Sequence, residues 1–186
     1  MNWTAIVPLK ARGSRKTRLG HVLSPGERDE LGEALLARVL AALDGCPFVA
    51  RTLLLSDRRP CGWEGELVPD LGRGLNAELA AAVAAGRQRR IAVFHADLPL
   101  LTPRDVSALL FAAGDGSALA PDRHGRGTNA IAVNDADAMR FSFGADSFRL
   151  HREGLEGPNV VQTPGLALDV DVPADLGVAL AAGFSF

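Results

Sequence analysis

The sequence predicts an α/β domain, three layers built on a mostly parallel sheet, and three observations carry that prediction. Short apolar runs recur along the chain: Ala5-Ile-Val7, Thr52-Leu-Leu-Leu55, Ile91-Ala-Val-Phe94, Ala118-Leu-Ala120 and Ala130-Ile-Ala-Val133. They are continuous rather than alternating, as expected of strands covered on both faces. Segments with helix start and stop signals lie between them, and strands alternating with helices indicate a sheet sandwiched by helices.

Taken in order, strands are expected at 3–8, 50–56, 91–96, 117–121 and 129–133, with a weaker one at 66–68. The first helix opens on Ser24-Pro-Gly-Glu27, a capping-box pattern with proline at the first helical position. It places Leu31, Leu35, Val39, Ala42 and Leu43 on one face and ends near Gly45. An alanine-rich helix spans 76–85 and stops at Gly86. Another starts at Thr102-Pro103 with Asp105 at the reciprocal capping position. A short helix begins near Ser147, with Ser147 as its N-cap, and a last one follows Pro173.

One domain over residues 1–186 accommodates the whole chain. A hydrophobic content of 47% and a charged content of 23% are those of a globular protein. The formal charge of −2 argues against a nucleic-acid binder that works by bulk electrostatics. No apolar run is long enough to span a membrane. The chain reaches a strand within three residues and carries no basic leader, so no signal peptide is expected and a cytoplasmic protein is. Cys46 and Cys61 lack the spacing of a zinc site and are expected to be two reduced thiols.

Open sheets of this kind bind ligands beyond the carboxyl ends of their strands. Following the first strand, Lys10, Arg12, Arg15, Lys16 and Arg18 fall within nine positions and form a concentrated positive field suited to phosphate oxygens. The spacing is neither that of a Walker A loop nor Gly-x-Gly-x-x-Gly. Asp97 stands at the end of the strand in Phe94-His-Ala-Asp-Leu-Pro99. A carboxylate there, beside a phosphate-binding loop, suits Mg²⁺ bridging protein to phosphate. In Leu168-Asp-Val-Asp171, Asp169 and Asp171 lie two positions apart on an extended segment; only one is expected to face the site. Asp171, ahead of Pro173, is equally explained as a helix cap, so Asp169 is the favoured metal ligand. Pro121–Val133 joins two strands through a turn with Gly125, Gly127, Thr128 and Asn129, whose amides and hydroxyl could hold an anion. Gly144 and Ser147 open a helix, a second anion-binding arrangement. Gly72, Gly74 and Asn76 precede another helix and serve either a nucleoside or a simple cap. His21, His124 and His151 read as loop or helix-surface residues, and His95 as a satisfied core histidine. With no grouping that suggests a nucleophilic triad, the nucleophile of any reaction is expected to come from the substrate.

Five stretches, in order along nearly the whole chain, then carry a resemblance. They are Val7-Pro-Leu-Lys10 with Lys16-Thr-Arg-Leu19, Gly74-Leu-Asn76, Ala96-Asp-Leu-Pro99, Gly127-Thr-Asn129 with Phe143-Gly-Ala-Asp-Ser-Phe148, and Leu168-Asp-Val-Asp171. The combination resembles the guanylyltransferases of coenzyme F-420 (deazaflavin) biosynthesis, which act on 2-phospho-L-lactate, phosphoenolpyruvate or 3-phospho-D-glycerate. The resemblance implies a GT-A-like nucleotidyltransferase fold and transfer of GMP from GTP to the phosphate of a three-carbon acid, with release of pyrophosphate. It implies that Asp97 and Asp169 hold Mg²⁺, with Asp97 and Lys16 serving catalysis. Lys10, Lys16, Arg18 and Asn76 fall on the GTP side, and Thr128, Gly144 and Ser147 on the acid. A homodimer, and delivery of the product to the next enzyme of the pathway, are implied by similarity. His95 stands where many relatives have proline, a departure that bears on the choice of acid. Other GT-A-type nucleotidyltransferases, among them molybdenum-cofactor guanylyltransferases and cytidylyltransferases, and a non-catalytic nucleotide sensor are the competing readings.

Overall fold

The computed structural model describes residues 2–9, 16–86 and 89–186. Lys10, Arg12 and Arg15 of the basic loop therefore lie outside the described residues, whereas Lys16 and Arg18 are within them.

Seven strands form one sheet in the order β3-β2-β1-β4-β6-β5-β7. They are β1 (Trp3–Pro8), β2 (Val49–Ser56), β3 (Glu66–Pro69), β4 (Ile91–Phe94), β5 (Ser117–Pro121), β6 (Thr128–Val133) and β7 (Asn159–Val160). β1 pairs parallel with both β2 and β4, β2 with β3, and β5 with β7. Only β6 runs against its neighbours β4 and β5. That reversal brings the amino end of β6, Thr128 and Asn129, to the same sheet edge as the carboxyl end of β4. The two ends are fastened there by His95 N–H donating to Asn129 C=O at 2.9 Å.

The helices are α1 (Pro25–Asp44), α2 (Leu75–Gly86), α3 (Pro103–Ala113), α4 (Ser147–Gly154), α5 (Pro164–Ala167) and α6 (Pro173–Ala181). The predicted caps of α1 and α3 form. Ser24 N–H donates to Glu27 Oε2 at 2.8 Å and Glu27 N–H to Ser24 Oγ at 3.3 Å, while Thr102 and Asp105 make the same reciprocal pair at 2.9 and 3.3 Å. Such caps satisfy amides that the first helical turn leaves without intrahelical partners. β7 and α5 are too short to show a period and went unread in the sequence.

Successive side chains of a strand point to opposite faces, and the core accordingly divides in two. Trp3, Ala5, Val7, Leu54, Ala92 and Phe94 pack beneath α1 and α3, through Val39, Leu43, Val106 and Leu110. On the other face Ile6, Leu53, Leu55, Ile91, Val93 and Ile131 meet Leu79 and Val83 of α2. A third cluster joins Leu31 and Leu35 of α1 to Leu168, Val170 and Leu176, anchoring the acidic segment 168–171 against the body of the protein.

Candidate active site

Pro8 at the end of β1 and Leu9 beyond it, His95 to Asp97 beyond β4, the β5–β6 turn, residues 143–147 and the 168–171 segment enclose a cleft of about 570 Å³. That volume is within the range of small-molecule sites. Lys16, Asp97, Thr128, Gly144, Ser147 and Asp169 all line it, so fold topology brings together residues up to 153 positions apart.

The acidic half is assembled by backbone pairing. Val170 N–H donates to Asp97 C=O at 3.1 Å, which draws the 168–171 segment alongside the β4 end. Both Asp169 and Asp171 then line the cleft, contrary to the expectation that only one would. Residues two apart on an extended chain share a face, which is the physical reason for the correction. Nor does Asp171 cap the last helix: Asp175 does so, accepting from Asp171 N–H at 2.9 Å and Val172 N–H at 2.8 Å. Burial, then the charges of Asp97 and Asp171, push the Asp169 carboxyl up to about 6. Asn129 partly relieves it, its side-chain amide donating to Asp169 Oδ1 at 3.3 Å and to the carbonyls of Leu166 and Ala167. Among the described residues no three His, Cys, Asp or Glu side chains are grouped tightly enough to hold a metal by themselves.

Lys16 supplies the counter-charge. Its ammonium lies 2.6 Å from Asp97 Oδ2 and 3.6 Å from Asp171 Oδ1, and it donates to Val170 C=O. Its side chain is only 9% exposed, whereas that of Arg18, 3.8 Å from Asp171, is 73% exposed. Lys16, expected from the sequence on nucleotide phosphates, thus rests on the carboxylates.

The β5–β6 turn, which also lines the cleft, is organised by Asp122, which accepts from the amides of His124, Arg126 and Gly127 at 2.9 to 3.0 Å. Those amides are spent internally, and Asp122, Gly127, Thr128 and Asn129 of this connection line the cleft. A side chain on Gly127 would meet Asp122 Oδ2 at 2.8 Å, which explains the glycine. Gly144 has a φ of 130°, a backbone region that L side chains rarely adopt. Ser147 is the first residue of α4 rather than its cap. That place belongs to Asp146, whose side chain makes no capping hydrogen bond.

Asn76 and His151 take places other than those the sequence suggests, and Glu78 went unread. Asn76 neither lines the cleft nor acts as a simple cap; it clasps Phe143, donating to its C=O at 3.0 Å and accepting from its N–H at 2.8 Å. His151 is buried rather than on a helix surface, lying between Thr128 and Ser142. Glu78 is also buried and holds the loop before α2, accepting from the amides of Leu71 and Arg73 at 3.0 Å and from the Arg73 guanidinium at 2.7 Å. These hydrogen bonds, those of the Arg73 side chain foremost, hold its carboxyl down at about 2. A buried Glu at the fourth helical position after two loop glycines was the available signal for that clamp. His95, read as a core residue, lines the cleft half-buried, its ring 5.3 Å from that of Phe143.

Residues 3–183 match the model of a protein family described as guanylyl transferase CofC-like. The phosphoenolpyruvate guanylyltransferase of Rubrobacter xylanophilus is 37% identical over 198 residues, covering 98% of this chain and 96% of that protein. Its namesake from Streptomyces coelicolor is 35% identical over 195 residues, with 98% and 92% covered. Among solved structures, a nucleotidyl transferase from Methanothermobacter thermautotroptrophicus superposes with a TM-score of 0.65 at 16% identity, covering 97% of this chain and 99% of the other. At that identity the likeness concerns the fold alone, and it is the nucleotidyltransferase fold expected from the resemblance.

Proposed function

The chain belongs to the CofC-like guanylyl transferase family, and from that premise we propose how its cleft transfers GMP from GTP to a phosphorylated three-carbon acid, phosphoenolpyruvate first among the candidates. The observation that carries the reading is the polarity of the cleft. Three carboxylates and a buried ammonium form one group of its lining residues, and a hydroxyl, a glycine with positive φ and a helix start form a second.

The first group suits the triphosphate and its Mg²⁺. Asp97 and Asp169 offer the hard oxygen donors that this ion favours, and Mg²⁺ is ordinarily held by one or two carboxylates with substrate phosphates and water completing the shell. Burial first, and then the charges of Asp97 and Asp171, raise the Asp169 carboxyl, and a divalent cation relieves the crowding of those charges. When bound, Mg²⁺ supplies charge neutralisation of the triphosphate and of the leaving pyrophosphate. Lys16 and Arg18 border the same region and add positive charge near those phosphates.

The second group suits the acid. Thr128, Gly144 and Ser147 place a hydroxyl and the start of α4 where a phosphate or carboxylate can be held. The acid's own phosphate oxygen attacks the α-phosphorus of GTP, a bond to that phosphorus forms, the α–β phosphoanhydride bond breaks, and pyrophosphate leaves. A phosphate monoester is mostly ionised at pH 7, its second pKa being about 6, so the cleft requires no strong base. Its task is to align two anions and stabilise the departing charge, the usual division of labour in phosphoryl transfer. The labile diphosphate diester so formed is passed to the next enzyme of coenzyme F-420 assembly.

The test is pyrophosphate release by the purified protein with GTP and Mg²⁺ and, separately, phosphoenolpyruvate, 3-phospho-D-glycerate or 2-phospho-L-lactate. Release that depends on GTP and is fastest with phosphoenolpyruvate is expected. Release with CTP but not GTP, or none with any of the three acids, would refute the reading.

A further inference from the structure

Thr128 and His151 are each about 1% exposed, and His151 Nδ1 lies 3.0 Å from Thr128 Oγ1. The other ring nitrogen is committed, since the backbone N–H of Ser142 donates to His151 Nε2 at 2.9 Å. A backbone amide can only donate, so Nε2 is the bare nitrogen, and the neutral ring must carry its proton on Nδ1. That proton points at Thr128 Oγ1. With one lone pair of the hydroxyl taken by His151, the threonine proton is left to be donated elsewhere, and Thr128 lines the cleft.

We infer that His151 is a positioning residue that makes the Thr128 hydroxyl a hydrogen-bond donor toward an anionic oxygen of the acid substrate. The inference rests on the proposed seating of the acid at Thr128. In the opposite tautomer Thr128 would spend its proton on Nδ1 and show only lone pairs, which repel an anion. The ring's surroundings support the assignment. Burial, and then the neighbouring His95, push His151 down to about 4, so the ring is neutral near pH 7. The Phe143 ring packs edge-on at 4.7 Å and 73°, fixing the plane of the imidazole. Through Ser142 the same ring also steadies the backbone that leads to Gly144. One buried side chain thereby sets two parts of the acid-binding wall.

Two measurements test this. In the wild-type protein, ¹⁵N NMR of the His151 ring at pH 7 distinguishes the protonated from the bare nitrogen, and protonated Nδ1 with bare Nε2 is expected. A protonated Nε2 overturns the proposal, whatever the variants do. In kinetics, Thr128→Val and His151→Leu should each raise KM for the acid roughly tenfold, the effect of a lost hydrogen bond to a charged group, with KM for GTP unchanged. The double variant should fall well short of the product of the two single effects, because His151 acts largely through that hydroxyl. Effects that multiply overturn the positioning role while leaving the acid site intact. An unchanged KM in Thr128→Val instead overturns the acid site, and this inference with it. Should His151→Leu fail to fold, as melting curves would show, the wild-type tautomer decides the matter.

Discussion

Replacing Asp169 by asparagine should stabilise the metal-free protein while abolishing its activity. The carboxyl is displaced from its ordinary 3.8 to about 6, first by burial and then by Asp97 and Asp171. At about 1.4 kcal/mol per pH unit, that corresponds to about 3 kcal/mol held against the ionised form. Solvent reaches this half-buried side chain and screens the charges, which reduces the working figure to about 1–2 kcal/mol. Because the folded-state value is raised, the folded protein binds the extra proton between pH 3.8 and about 6, and the wild type loses stability as pH rises through that window. Asparagine has the same shape, keeps an acceptor for Asn129 and carries no charge, so it escapes the loss. Its advantage should be negligible near pH 4, grow toward pH 6 and then level off. In a chain of 186 residues it should amount to a melting temperature higher by roughly 2–8 °C at pH 7.5. Thermal unfolding of both proteins in EDTA at pH 4.5 and 7.5 measures it. Adding Mg²⁺ with a non-hydrolysable GTP analogue should raise the wild type and leave the variant behind. A variant less stable than wild type at pH 7.5, or equally favoured at both pH values, would refute this account of the carboxylate cluster.

Asp97→Asn should lower turnover by at least about two orders of magnitude, a few kcal/mol of transition-state stabilisation, as read by pyrophosphate release at saturating Mg²⁺. It should also lower the melting temperature, because the buried Lys16 ammonium loses the charge of its 2.6 Å partner and keeps Asp171 at 3.6 Å as its one nearby carboxylate among the described residues, beside the Val170 carbonyl; near-normal turnover would remove Asp97 from the metal site. Asn76→Ala should raise KM for the acid at least as much as for GTP, because Asn76 holds the Phe143 backbone beside Gly144; a defect confined to GTP would return Asn76 to the nucleotide side. Glu78→Ala should speed hydrogen exchange at the Leu71 and Arg73 amides, which it now accepts from. Since the Glu78 carboxyl sits at about 2, below its ordinary 4.5, its hold on the loop should persist above pH 4.5 and fail only as pH falls toward 2.

What the sequence determined by itself is whatever depends on residues close together in the chain. Strand and helix order follow from local hydrophobic runs, and the caps at Ser24 and Thr102 from side chains that bond three positions away. Asp97 was legible as a strand-end carboxylate because Pro99 ends the apolar run beside it, and Gly144 as the residue ahead of a helix start, where the structure gives it a φ of 130° that glycine readily takes. Tertiary structure decided the pairings that close the cleft. Lys16 meets Asp97 across 81 positions, Asn76 meets Phe143 across 67, and Thr128 meets His151 across 23. None of these partners is distinguished by local pattern: a lysine in a basic loop, an asparagine before a helix and a histidine on a short helix have many ordinary roles. Strand order and the reversal of β6 bring Thr128 beside the end of β4, and the Val170–Asp97 backbone hydrogen bond holds the segment whose Asp169 and Asp171 both line the cleft. Burial then does what composition cannot, lifting Asp169 toward neutrality and holding His151 uncharged, because the cost of a charge depends on the medium around it and that medium exists only once the chain has folded.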